Sequence, residues 1–376
     1  MYTLHLSSIP LTPTEKSIFS YHLLELGLDD SIWEIYEKFL QVTSVFSRPL
    51  IVRVKKDNQT FACMFLIECK DYGSTLSRLK IVKYMARILS IPVVIWMKAG
   101  IATEICANPV FFNKNVGNDY EMSEILDLLR KRFILLIIHD LAGNAPLHPA
   151  SVVMPYPDEG IIDTRGYTTI NDYLADHHNL RKKLKGYQKI GGRVEIIKGR
   201  LDENVIKKIK ECVISTAERS VFKLPYQNDY PDMCTGSANI DNRNVIHFLC
   251  RSDEVFYGYH SFIVFKNQIR CLNGAFNRNL ATTHHSYENM IYRVVEFAIE
   301  NEIQTVYFGP TLNETKKRMM NRFIQTQLFF SSNMPLLLKL FAPVLRRSRL
   351  NSRDLLEFSG ICLRPLAGKT SALDHI

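Results

Sequence analysis

The chain has 376 residues, 46% of them hydrophobic and 23% charged, which is enough apolar mass for a sizeable core and for two domains or one large one. That composition excludes a disordered chain, and no run approaches the roughly 20 apolar residues that a membrane-spanning helix needs. The formal net charge is +9, and the start of the chain lacks a basic stretch followed by an apolar one, so the expectation is a cytoplasmic protein with no transmembrane segment.

In chain order, Ile32–Gln41 reads as a helix, because Ile32, Ile35, Tyr36, Phe39 and Leu40 fall on one face. Leu50–Lys55 and Gln59–Cys69 read as two strands around a Lys-Asp-Asn turn. Ile91–Met97 is a further strand, Met122–Lys131 a helix and Phe133–His139 a buried strand. The prolines and glycine of Leu141–Pro157 then predict a linker.

Beyond it the same order repeats at larger size. Thr169–Gly186 reads as one helix, Arg193–Lys198 as a strand and Glu203–Glu218 as a long amphipathic helix. Three antiparallel strands follow, Asn244–Arg251, Glu254–Phe265 and Gln268–Phe276, with turns at Ser252-Asp253 and Lys266-Asn267. Ser286–Asn301 is a helix, Gln304–Gly309 a short strand, Asn313–Phe323 a helix and Leu355–Leu366 a closing strand. This order predicts an α/β (α+β) protein with two halves: 1–142, a linker at 143–157, and 158–376.

Eight cysteines are spread along the chain with no CxxC and no zinc-like Cys/His spacing, which reads as reduced, buried thiols and no metal site. Arg181–Lys210 holds eleven Lys and Arg against Glu195, Asp202 and Glu203. A second basic run is Lys339, Arg346, Arg347, Arg349 and Arg353. Such clusters suit a polyanionic partner or a solvated helix face. The chain has no Walker loop, dinucleotide fingerprint, Gly-x-Ser-x-Gly elbow or paired-histidine metal motif, which weighs against kinase, dehydrogenase and hydrolase readings.

Two segments resemble a known superfamily. Ile170–Glu218 resembles the opening of the acyltransferase domain in the CelD-like branch of the GNAT superfamily: a helix ending in a basic cluster, a glycine, a strand and a second helix. Leu272–Met320 is similar to the strand–helix–strand core of that branch and of the Fem-type (FemAB-like) transferases, with an aromatic strand ending in glycine (Tyr307, Phe308, Gly309) and a lysine, Lys316, seven residues on. The glycine-rich phosphate loop of simpler GNAT enzymes is replaced here by FNRNLATTHHSYEN.

The resemblance implies tandem GNAT-like domains, each a mixed central sheet flanked by helices, with a degenerate first domain and a working second one. It implies an N-acyltransferase that moves an acyl group from acyl-CoA or an acyl carrier protein to a small-molecule amine. In this superfamily two parallel strands splay apart and free backbone N–H groups hold the donor; here the strands are those containing Gly274 and Tyr307. His260, His284 and His285 are the general-base candidates, with Tyr257 and Tyr307 as acid or orienting groups. Arg278, Thr283, Ser286, Gly309, Asn313 and Lys316 are the candidate donor-binding residues, near a helix N-terminus that favours phosphate. A non-catalytic module of the same fold, a Fem-type transferase using aminoacyl-tRNA, and a nucleic-acid or membrane-surface binder are the competing readings. Oligomeric state is not legible.

Overall fold

The structure, a computed structural model, describes residues 2–25, 29–30, 32–34, 36–37, 47–57, 59–69, 93–96, 110–112, 119–133, 135–140, 152–218, 240–310, 314–332, 334 and 336. The first half holds β1 (Tyr2–Ser7), α1 (Pro13–Glu25), β2 (Ser47–Lys56), β3 (Gln59–Cys69), β4 (Val93–Trp96), β5 (Val110–Phe112), α2 (Asp119–Arg132) and β6 (Leu135–Asp140). There follow β7 (Val152–Asp163), α3 (Ile170–Asp176), α4 (His178–Lys189), β8 (Arg193–Lys198) and α5 (Glu203–Glu218). The last group is β9 (Val245–Arg251), β10 (Phe256–Phe265), β11 (Gln268–Phe276), α6 (Arg278–His284), α7 (Ser286–Glu300), β12 (Thr305–Pro310), α8 (Glu314–Met319) and β13 (Arg322–Ser331).

The strands form one sheet in the order β1-β2-β3-β4-β6-β13-β7-β12-β11-β10-β9-β8, with β5 beside β3. Read inward from either end, the order repeats. Four strands run antiparallel, the fourth pairs parallel with a fifth (β4 with β6, β11 with β12), and a sixth closes antiparallel. The sixth strand is exchanged: β7 follows the first half but pairs β12, and β13 follows the second half but pairs β6. β7 and β13 pair with each other at the centre.

Helices cover both faces of the second half. On α7, Met290, Ile291, Val294, Val295 and Ala298 recur at helical spacing and are all buried against β9–β12 together with α3 and α4. On the other face, Val205, Ile209, Cys212 and Val213 of α5 pack on Leu249, Tyr259 and Ala275. Each fully buried side chain of this size contributes roughly 1.5–3 kcal/mol. In the first half, Ile125 and Leu129 of α2 pack on β2 and β3. A further cluster joins the halves: Trp33, Tyr36 and Phe65 share it with Ile263, Phe265 and Leu272.

Three expectations change. Residues 152–157 of the expected linker are strand, not loop. Both prolines there are tolerated because this part of β7 pairs only with β13; its pairing to β12 begins at Glu159. The helix expected over 169–186 is two helices meeting at His177, whose φ of −126° and ψ of 56° are not helical. The helix expected over 313–323 ends at Met319, and Phe323 lies in β13. The expected strand at 355–366 and the basic run at 339–353 lie outside the described residues. No helix among the described residues is long and apolar enough to cross a membrane. Cys63, Cys212, Cys250 and Cys271 are buried and not joined in disulfides.

Candidate active site

The parallel strands β11 and β12 pair over three positions: Gln268 opposite Thr305, Ile269 opposite Val306 and Arg270 opposite Tyr307. There the ladder ends, although both strands continue. β11 stays with β10 as far as Phe276, which lies opposite Gly258. β12 stays with β7 as far as Pro310, which lies opposite Glu159. Beyond that point the two strands are held by different partners, β10 and β7.

The sequence supplies a cause on each side. Leu272 is an extra residue between Cys271, opposite Phe262, and Asn273, opposite Ser261, so β11 bulges two residues after its last pair with β12, Arg270. On the other arm the register of β12 with β7 shifts between Tyr307 and Pro310. Bulges sharpen local twist and re-aim a strand. Gly309, with φ of 76°, adopts a left-handed backbone that a side chain would strain. Past Arg270 and Tyr307, Cys271–Phe276 and Phe308–Gly309 are no longer partners in the ladder between the two strands.

His260 lies on β10, one strand over from the end of that ladder. It is 7% exposed and opposite Gly274. Its Nδ1 is 3.4 Å from Cys271 Sγ. Its ring is packed by Phe262, Phe276 and Tyr287 at centroid distances of 5.5, 5.7 and 5.8 Å. Phe308 turns into the core under α7 and meets Phe262 edge-on.

Tyr257 is buried beneath α6, its ring 5.6 Å from His284 and 5.5 Å from Tyr187. The Asn277 N–H donates to the Tyr257 carbonyl at 2.8 Å and ties the end of β11 down. His285 sits between α6 and α7 in a left-handed conformation, φ 56°. Its Nδ1 lies 3.5 Å from Glu288 Oε1, which Lys183 of α4 also holds at 2.7 Å. Thr283 is exposed and Ser286 is buried.

The start of α7 is displaced toward β9: the Cys250 thiol donates to the Ser286 carbonyl at 3.4 Å. Burial pushes the Cys250 thiol well above its ordinary value, which keeps that donor protonated. The extra turns of α6 carry the chain there from the end of β11. Thr283, His284, His285 and Ser286 therefore lie at the junction of α6 and α7, with His284 against Tyr257, whereas His260 is on β10 and Gly309 on β12.

Tyr307 is in the last pair of the ladder, with the Arg270 guanidinium 4.0 Å from its ring centroid. Arg270 Nε donates to Gln268 Oε1 at 2.8 Å. Arg278 opens α6 and Lys316 lies in α8, while Asn313 lies outside the described residues. Sequence reasoning missed Arg270, Gln268, Glu288 and the 2%-exposed Glu159. Its one available signal was a polar residue at alternate positions, Gln268 and Arg270, in an otherwise apolar strand.

Two solved structures share this architecture across nearly their whole length. FemX is 12% identical and covers 88% of this chain and 98% of its own, with a TM-score of 0.51. L-PGS from Bacillus licheniformis is 10% identical, covers 89% and 96%, and has the same TM-score of 0.51. The chain has a GNAT/Fem-like fold. A tandem GNAT protein from the clavulanic acid biosynthesis pathway is 11% identical, covers 89% and 99%, and has a TM-score of 0.47. No protein-family model and no curated protein matches the chain. The chain is α/β, with two halves that each contribute strands to the mixed sheet and helices that flank it.

Proposed function

We propose that the protein is an N-acyltransferase that moves an acyl group from a thioester donor, acyl-CoA or an acyl carrier protein, to the amine of a small-molecule acceptor. The observation that carries this reading is the parting of β11 and β12 after Arg270 and Tyr307. A thioester carbonyl laid in that groove meets backbone N–H groups that are already oriented, which is the cheapest way to stabilise a developing oxyanion. Holding donor and amine together contributes on the order of 7–11 kcal/mol to such a transfer, so the demands on individual side chains are modest.

His260, one strand over from that parting, is the first choice for the base. His284 and His285, with Tyr257 beside them, stand nearer the donor's outer end. Arg278, Thr283, Ser286, Gly309, Asn313 and Lys316 are assigned to the donor, and Tyr307 to orientation of the acyl carbonyl. The second half, 158–376, is the working one.

A Fem-type reading, with aminoacyl-tRNA as the donor, is favoured by the exposed Arg181, Lys182, Lys185 and Lys189 on α4, a helix that packs beside α7. Isothermal titration with CoA, an acyl carrier protein and tRNA decides between the donors. Saturable binding of one of the three supports a transferase; binding of none removes it.

A further inference from the structure

The side chains of β11 change faces part-way along the strand. Ile269 and Cys271 pack in the cluster under α7, and unbroken alternation would put Ala275 there too. Ala275 instead packs on the other face, with Tyr259 under α5. The switch falls at Leu272, the extra residue of the bulge. A one-residue offset exchanges the two faces of a strand from that point on. Here it sets Gly274 opposite His260 and Phe276 opposite Gly258. A Cβ on Gly274 would stand 2.1 Å from His260 Cδ2, and one on Gly258 2.4 Å from Phe276 Cδ1, so both pairings need the glycine. Asn273 or Ala275 in the place of Gly274 would displace the imidazole. The bulge thus fixes which way each residue of 273–276 faces.

The seat of the bulge is in the other half of the chain. Leu272 is 4% exposed and belongs to the cluster that joins the halves, with Trp33, Tyr36 and Phe65. Tyr36 stacks on Phe65 with ring centroids 3.7 Å apart, and Trp33 is 6.4 Å from Tyr36. The same junction carries two hydrogen bonds: Asn242 Nδ2 donates to Glu34 Oε2 at 2.7 Å, and Asn244 Nδ2 to Asp29 Oδ2 at 3.4 Å. On this face α5 covers the strands at Tyr259 and Ala275, whereas first-half side chains cover them at Ile263, Phe265 and Leu272.

We infer that the first half is a positioning element for the second-half site: the packing of Trp33, Tyr36 and Phe65 around Leu272 holds the β11 bulge, and with it the course of β11 after its last pair with β12. Leu272 is a positioning residue that acts through the backbone of 273–276. The inference rests on the transferase reading for what the parting of the strands binds, and on the bulge and its cluster for how the parting is held. Loosening the first half then weakens donor binding in the second, although no first-half residue is assigned to the donor.

The test uses the full-length chain with Phe65→Leu, which removes the ring that Tyr36 stacks on, and reads peptide-resolved hydrogen exchange. Exchange in 271–276 is expected to rise about tenfold or more, while Met290–Ala298 of α7, in the cluster on the opposite face, keeps its wild-type rate. Tyr36→Phe, which keeps a ring in the stack, is expected to leave both segments as they are. An equal rise in both segments is a plain loss of stability and overturns the inference, as does no rise in 271–276. Leu272→Ala gives the same reading if Phe65→Leu does not fold. A second measurement uses the chain labelled with 5-fluorotryptophan, the Trp33 resonance being the one that Trp33→Phe removes. That resonance is expected to move when CoA, an acyl carrier protein or tRNA binds. A donor bound by titration with an unmoved Trp33 resonance overturns the coupling and leaves the transferase reading standing. Binding of none of the three sinks that reading, and the exchange rates alone then decide whether the first half holds the bulge.

Discussion

Two buried histidines, one strand pair apart, show how position decides what an imidazole is for. His247 on β9 is fully buried with both nitrogens satisfied: Nε2 lies 2.9 Å from the Gly199 carbonyl and Nδ1 2.7 Å from Ser261 Oγ. A carbonyl only accepts, so Nε2 carries the proton, and Nδ1 accepts from the serine hydroxyl. Burial lowers its pKa to about 4 from an ordinary 6.5. Between those values the unfolded chain binds more protons than the folded one, so the stability linked to His247 is complete above 6.5 and is lost as pH falls toward 4. The expected loss over that window is about 3 kcal/mol. Urea midpoints at about pH 7 and pH 4.5 measure it, and His247→Asn, less stable at neutral pH, shows a visibly shallower fall. His260 has a different setting, against a glycine and a thiol, at an edge where a ladder stops. The sequence marked His260 but not His247, because strand periodicity places a histidine on a face without saying what covers that face.

At the level of elements, the parting of β11 and β12 makes a prediction that needs no acceptor. Amides of 271–276 and 308–309 gain protection when the donor binds, while those of Ile269 and Val306, inside the ladder, change little. Peptide-resolved hydrogen exchange with and without CoA, acyl carrier protein or tRNA reads this directly, and unaltered exchange with a bound donor contradicts the groove assignment. The strands on either side of the parting were legible: Gln268–Phe276 matches β11 at both ends, and Gln304–Gly309 matches β12 to within one residue, since each is an apolar run between turns. The bulge at Leu272 was not, because it depends on which residue faces which across two strands. α6, with seven residues, is too short to display a helical period. β13 was hidden because Arg322–Phe330 continues the basic and apolar spacing of α8, and pairing with β6 and β7 decides its conformation.

For the molecule as a whole, the exchanged strands tie the two halves to each other. Thr326–Phe330 of β13 pair on one side with 152–156 of β7, and Gln327–Ser331 pair on the other with 136–140 of β6. A fragment comprising 158–376 keeps the groove strands but strands β13 with neither of those partners. It is expected to express as an aggregating chain, whereas a fragment pair of 1–151 and 152–376 expressed together recovers a soluble complex; size-exclusion chromatography of each separates the two outcomes. The cluster of Trp33, Tyr36 and Phe65 with Ile263, Phe265 and Leu272 adds a second reason, since excision bares its second-half face to water. On the ribosome the same topology sets a schedule. The nascent N-terminal half emerges with the outer edge of β6 still open, and that edge waits for a segment made almost 200 residues later, so the growing chain depends on slow translation intermediates staying unpaired with their neighbours until residues 322–331 arrive.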